Sequence, residues 1–161
     1  MASTLPTELD TAAGSLESHT GRTLLFRVGS AVYGCELAAV REIVPFRRAT
    51  RLPGAPPYVH GLMNLRGTIV TVVDAGARLE AGRAPVADGS IILIEYGTRV
   101  AGLAVEEVLD VRLVALDPDT LGEGAAGPEG SAGVVRGVGR VDDTVVVLLD
   151  APMLVRQVLL T

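Results

Sequence analysis

Residues 58–74 read YVHGLMNLRGTIVTVVD, and the rest of the chain is organised around them. Asn64-Leu65-Arg66-Gly67 is a polar turn signal closed by glycine, and Thr68 to Val73 is a β-branched run suited to a buried or half-buried strand. Arg66 stands at the tip of that turn. A cation held there on a rigid strand pair can meet a partner without first being buried. The competing reading is a solvated loop arginine, because most surface charges contribute little.

Working outward, the chain has 161 residues, enough for one domain or two very small ones. Hydrophobic residues make up 48% and charged residues 20%, so it can bury a core. Aromatics are only 3%, and that core must be built from Val, Leu, Ile and Ala. A net charge of −5 argues against nucleic-acid binding driven by bulk electrostatics. Every strongly basic residue is arginine. The single cysteine, Cys35, excludes an internal disulfide, fits a reducing cytoplasm, and has the apolar flanks of a packed core residue. No apolar run approaches the roughly 20 residues that span a bilayer. The N-terminus lacks the pattern of a secretory signal.

In chain order, residues 1–20 read as a flexible tail and residues 21–161 as the folded part. Leu24 to Val28 and Val32 to Cys35 read as a hairpin around Gly29-Ser30. Leu37 to Val44 reads as a helical turn running into a strand. Pro45 to Pro57 is an extended connector, locally basic through Arg47, Arg48 and Arg51. Residues 75–89 read as a loop, Ile91–Ile94 and Val100–Val105 as strands, and 117–133 as a long exposed loop. Strand character returns up to Asp150, which can cap a short helix from Ala151 with Pro152 in its first turn.

An internal repeat underlies this order. At an offset of 68, Gly29, Val32, Gly34, Val40, Glu42 and Ile43 meet Gly97, Val100, Gly102, Val108, Asp110 and Val111. At an offset of 76, Gly61, Thr68, Val70, Asp74 and Ala75 meet Gly137, Thr144, Val146, Asp150 and Ala151. The second copy starts near residue 90. Each copy holds about five strands, too few for a secure core alone, so the two are expected to pack together. The copies differ at the turn, where NLRG (64–67) becomes RVDD (140–143). A purely structural turn could have stayed the same, so this asymmetry favours a specific role for Asn64, Leu65, Arg66 and Gly67.

These residues resemble the CheW-like domain family. The resemblance rests on Val40-Arg41-Glu42-Ile43-Val44, the Pro-rich connector, Gly61 to Gly67 with its GxxNLRG pattern, and Ile69 to Asp74; it covers about residues 22–160. It implies a mainly all-β fold of two five-stranded SH3-like barrels, intertwined and related by a pseudo-two-fold, with short helices including one at the C-terminus. It implies a non-catalytic, cofactor-free adaptor that couples methyl-accepting chemoreceptor tips to the regulatory domain of a CheA-type histidine kinase. Such an adaptor is cytoplasmic, recruited to receptor arrays, without direct membrane insertion or nucleic-acid binding. Val40, Glu42 and Arg66 carry over as kinase-contact positions. Leu37, Ile91 and Val108 carry over to the receptor groove, with ordinary barrel core as their competing reading. The chain departs from the family at Thr71, usually proline, and at Ala75-Gly76, usually Leu-Arg. With no kinase, receiver or receptor segment in view, a stand-alone coupler is expected.

Two alternatives compete. The same adaptor could serve a type IV pilus or developmental chemosensory pathway. Alternatively, a small β-barrel enzyme or anionic-ligand-binding protein could use the inter-barrel groove, with Arg66 as its cation. Against catalysis, there is no phosphate-binding glycine loop leading into a helix and no recognisable Ser/His/Asp set. Two histidines and one cysteine supply a metal site poorly. His60 reads as a loop or interface residue, and Asp74 and Asp150 as equivalent strand-end caps.

Overall fold

The computed structural model describes residues 18–80, 85–120 and 133–159. Its strands are β1 (Ser18–His19), β2 (Thr23–Val28), β3 (Ala31–Glu36), β4 (Val40–Pro45), β5 (Val59–Leu65), β6 (Thr68–Asp74), β7 (Ser90–Tyr96), β8 (Arg99–Val105), β9 (Glu107–Arg112), β10 (Ala115–Asp117), β11 (Val135–Val141) and β12 (Thr144–Leu149). Two helices, α1 (Ala75–Leu79) and α2 (Ala151–Leu159), follow β6 and β12. Leu37–Ala39 forms a single 3-10 turn leading into β4, so the helical turn and strand expected there are both present.

The strands form a seven-stranded sheet, β1-β10-β11-β12-β3-β2-β9, and a five-stranded sheet, β4-β7-β8-β6-β5. The two are registers of one plan. Thr23↔Arg112, Leu24↔Val111, Leu25↔Asp110 and Phe26↔Val108 in the first match Ile91↔Val44, Ile92↔Ile43, Leu93↔Glu42 and Ile94↔Val40 in the second, with a register shift at the same step. The parallel pairing Leu148↔Gly34 matches Val72↔Gly102. In each case a strand late in one repeat pairs with a strand early in the other. Neither repeat builds a barrel alone; each barrel takes strands from both.

Close packing against the antiparallel neighbour explains the two repeated glycines. A Cβ on Gly102 would lie 2.7 Å from Ile91 Cγ2, and one on Gly34 would lie 2.7 Å from Thr23 Cγ2. A side chain at either place would push the barrel wall apart.

Alternation along each strand divides the apolar residues between two cores. Ile91 and Leu93 turn into the five-stranded barrel with Val44, Met63, Leu65, Val70 and Val72. Ile92 and Ile94 turn the other way, into a larger cluster with Leu24, Phe26, Tyr33, Leu103 and Leu149, shared by both sheets. Leu25, Val114, Val141, Val146 and Leu148 fill the seven-stranded barrel. Each fully buried Ile or Leu contributes about 1.5–3 kcal/mol relative to exposure, so the shared cluster is what joins the barrels.

Helix α2 lays Ala151, Leu154, Val155 and Val158 on this shared core, as its apolar face predicts. Asp150 Oδ1 accepts the Met153 N–H at 3.0 Å, and Asp74 Oδ1 accepts the Ala77 N–H at 2.9 Å. Both aspartates therefore act as N-caps. The second cap reveals a correction: residues 75–79 are helix, not loop. Gly76 hides helical character in the sequence, yet the Asp74 cap and burial of Ala75, Gly76 and Leu79 hold the turn together. Thr71 pairs with Leu62 and Ala101 inside an unbroken β6, so the departures at residues 71, 75 and 76 leave the barrel edge intact.

At the N-terminus the described residues begin with a strand. Ser18 and His19 pair with Leu116 and Ala115, and Thr20 Oγ1 accepts the Val114 N–H at 3.1 Å. Order thus begins before residue 21, because β10 offers an open edge. The rest of the expected tail, and residues 121–132 of the expected long loop, lie outside the described residues; Pro118–Thr120 at the start of that loop is a 3-10 turn.

Candidate functional site

The turn at 64–67 joins β5 to β6 as a two-residue loop, since Leu65 pairs directly with Thr68. Arg66 and Gly67 both have positive φ, 50° and 88°, the mirror-image turn that suits the twist of a tight hairpin. Asn64 Oδ1 accepts the Gly67 N–H at 2.9 Å, and Leu65 is buried in the five-stranded barrel. Three of the four residues are thus accounted for by the turn itself.

Arg66 is not. An arginine in the left-handed region costs conformational energy that asparagine or glycine would largely avoid. Its guanidinium reaches across to β4, where Nη2 donates to Glu42 Oε1 at 2.7 Å and also contacts Oε2. This corrects the picture of a free turn-tip cation, because the charge is already paired within the chain. Arg47 Nη1 donates to the Asn64 carbonyl at 3.4 Å, placing the basic connector against the same turn. A cavity of about 230 Å³ opens here, lined by Arg41, Glu42, Leu65, Arg66, Thr68, Val70, Leu93 and Val100.

Glu42 has 30% of its side chain exposed beside Arg66, whereas Val40 is half-buried and packs against the shared core. Two residues not singled out from the sequence flank them. Ile43 is 41% exposed and Ile69, paired with Asn64, is 61% exposed. Alternation held the signal for Ile69, since Val70 and Val72 already fill the inward positions of β6.

Of the receptor-groove positions, Leu37 and Val108 share one cluster and Ile91 belongs to another. Leu37 and Val108 are half-buried against the shared core. Ile91 is fully buried inside the five-stranded barrel, and so cannot line an open groove. Ordinary barrel core, the competing reading for this position, is where the pleat of β7 puts it. A cavity of about 230 Å³ takes in Glu36 and Ala39, on either side of Leu37, with Arg136, Leu149, Asp150 and Pro152. Glu36 and Arg136 form an ion pair at its edge.

The second barrel carries the matching turn with different chemistry. Val141 pairs with Thr144, and Asp142 has φ 53°, like Arg66. Asp110 stands where Glu42 stands. Two carboxylates therefore meet where the first barrel has a cation and an anion. Arg112 Nη1 lies 3.6 Å from Asp142 and 4.0 Å from Asp110, and separates them.

Among the described residues no three His, Cys, Asp or Glu side chains are grouped to hold a metal. His60 packs on Phe46 with ring centres 5.2 Å apart. Burial, with a smaller contribution from neighbouring Glu36, pushes the Cys35 thiol up to about 12. That thiol is protonated and inert at neutral pH.

Two intertwined SH3-like barrels with an ion-paired turn at one end define a double-barrel interaction module. The chain belongs to the CheW-like domain family, whose model matches residues 22–159. It is 42% identical over 97 residues to the chemotaxis protein CheW of Rhizobium meliloti, covering 59% of this chain and 63% of that protein. The chain thus aligns with somewhat less than two thirds of that relative's length. It is 30% identical over 118 residues to Protein FrzA of Myxococcus xanthus, covering 71% and 73%. The crystal structure of scaffolding protein TtCheW from Thermoanaerobacter tengcongensis superposes with a TM-score of 0.67 at 25% identity, covering 81% of this chain and 88% of that one.

Proposed function

We propose that this protein is a non-catalytic adaptor that couples methyl-accepting chemoreceptors to a CheA-type histidine kinase in chemotaxis signalling. The observation that carries the reading is the Arg66–Glu42 pair. It locks the β5–β6 turn to β4 at the mouth of the five-stranded barrel, within a chain of the CheW-like family. A charged pair at the barrel mouth, with half-buried Val40 and exposed Ile43 on β4 and exposed Ile69 on β6, has the anatomy of a specific, exchangeable interface.

Val40, Glu42 and Arg66 contact the kinase regulatory domain in this scheme. Leu37 and Val108 border the receptor-tip surface, and Ile91 stays in the core of the five-stranded barrel. The adaptor works in the cytoplasm, recruited to receptor arrays. No described helix is long and apolar enough to cross a membrane. The Glu42 carboxylate beside Arg66 offsets its charge toward an anionic metabolite, which weighs against the enzyme or ligand-binding alternative.

The test is affinity for a purified CheA-type regulatory domain. Val40→Asp and Glu42→Arg should each weaken binding at least tenfold in a folded protein. Unchanged affinity in both, or a large thermal shift with a small anionic metabolite and no kinase binding, defeats the proposal. In a second pathway reading, the same adaptor serves a type IV pilus or developmental chemosensory system. Binding to the kinases of the two systems, side by side, separates the readings.

A further inference from the structure

The two barrels match strand for strand, yet they differ at the mouth away from the 64–67 and 141–144 turns. In the five-stranded barrel that mouth is packed with apolar side chains. Ile91, Val72 and Ala104 are fully buried there, and Val86 joins them. In the other barrel Thr23 pairs with Glu36 as Ile91 pairs with Ala104, so a hydroxyl and a carboxylate replace two apolar side chains. Arg136 replaces His60 at the matching bulge.

A cavity of about 210 Å³ opens at this mouth of the seven-stranded barrel. An apolar cavity of roughly 150 Å³ is enough to take up benzene. Leu116 and Leu148 give this one an apolar floor, Thr20 and Thr23 line it, and Glu36 and Arg136 pair at its rim. Thr23 is only 1% exposed.

The lining sets the class of ligand. Thr23 Oγ1 lies 2.7 Å from Thr20 Oγ1 and 3.0 Å from the Gly21 carbonyl, and Thr20 Oγ1 accepts the Val114 N–H. The arrangement that serves both contacts has Thr23 donating to the carbonyl and Thr20 donating to Thr23. Both hydroxyl hydrogens are then engaged, and the two oxygens have only lone pairs left to offer. A ligand group that meets them must donate. At the rim Glu36 answers Arg136, so neither charge is free to hold an ion. An exposed pair of this kind contributes little, and parting it to admit a neutral molecule costs little.

We propose that this mouth is a binding site for a small uncharged molecule with an apolar body and one hydroxyl or amide N–H. The body rests on Leu116 and Leu148, and the donor meets the Thr20–Thr23 pair. Glu36, Arg136 and Leu149 also line the cavity beside Leu37, so the ion pair stands between the two cavities. Binding here does not rest on which partner the Arg66 turn meets.

Phenol is the probe and benzoate its charged counterpart, in a nitrogen-15 NMR titration of the full chain. Phenol should give saturable shifts at the amides of Thr23, Gly34 and Leu148, and none at those of Val70 and Leu93 in the other barrel. Benzoate, the same ring without a donor, should bind at least tenfold more weakly. Thr23→Ile installs the other barrel's residue, and Leu116→Phe fills the floor from half-buried β10. Each should weaken phenol binding at least tenfold. The absence of saturable shifts at the three cavity amides overturns the proposal. So does undiminished phenol binding in whichever variant keeps its fold, or benzoate binding as tightly as phenol.

Discussion

Arg66 and Asp142 occupy the same place in two equivalent hairpins, at φ 50° and 53°, and carry opposite charge. The backbone of the turn is common property of both repeats. The charge is not, and each barrel closes its end with different partners: Glu42 answers Arg66 directly, whereas Arg112 must separate Asp142 from Asp110. The four-residue asymmetry between NLRG and RVDD is thus a difference in electrostatics laid on one geometry.

A separation of roles follows at Arg66. Asparagine suits the first position of this turn better than arginine. The exposed ion pair itself contributes about 0–1 kcal/mol. Arg66→Asn should therefore leave folding stability within about 1 kcal/mol of wild type by chemical denaturation, while kinase-domain binding falls at least tenfold. Arg66→Glu should lose binding too, and the swap Glu42→Arg with Arg66→Glu should recover part of it. A large loss of stability in Arg66→Asn would make the residue a structural anchor.

The repeated glycines should tolerate substitution poorly, since the neighbouring strand leaves no room for a Cβ. Gly102→Ala meets Ile91 at 2.7 Å and Val72 at 3.4 Å in the packed wall. A cost of about 1–3 kcal/mol is expected in urea melts. Gly67→Ala has open space around its Cβ and pays only for its φ of 88°, about 1 kcal/mol.

Asp74 and Asp150 are equivalent caps with unequal loads. Asp74 is 2% exposed and accepts two N–H groups, from Ala77 and Val86. Asp150 is half-buried and its side chain accepts the Met153 N–H. Asp150→Ala should cost about 1 kcal/mol and Asp74→Ala about 2–4 kcal/mol, since the latter also leaves a buried donor unmet. Thermal melts of the two variants in parallel give the comparison.

Cys35 should resist alkylation in the native protein at pH 8 and react promptly in denaturant. Its folded pKa of about 12 lies above the ordinary value of 9.0, so the folded state holds the proton more tightly. The associated stability is present below pH 9 and is lost as pH rises toward 12, by up to about 1.4 kcal/mol per pH unit. Cys35→Ala should flatten that part of the stability curve, measured by denaturant midpoints from pH 8.5 to 11.

Much of the double barrel was legible because its signals are local. Alternation in Ile91–Ile94, glycine at the turns, and two repeat offsets each depend on residues close in sequence. The helix after Asp74 was missed because Gly76 weakens its propensity, and only the cap and burial against β8 outweigh that. The strand at Ser18–His19 was missed because its partner, β10, lies almost a hundred residues away, and no local pattern reveals an open edge.

The sequence by itself determined the repeat, the strand content, the family and the turn in which the two copies diverge. Tertiary structure decided what that turn holds. Glu42 on β4 and Arg66 in the β5–β6 turn lie 24 residues apart, β4 neighbours neither β5 nor β6 in the sheet order, and only closure of the barrel brings carboxylate to guanidinium. The same closure turned Ile91 inward, away from any partner, because each strand has two faces and the pleat of the assembled barrel selects between them.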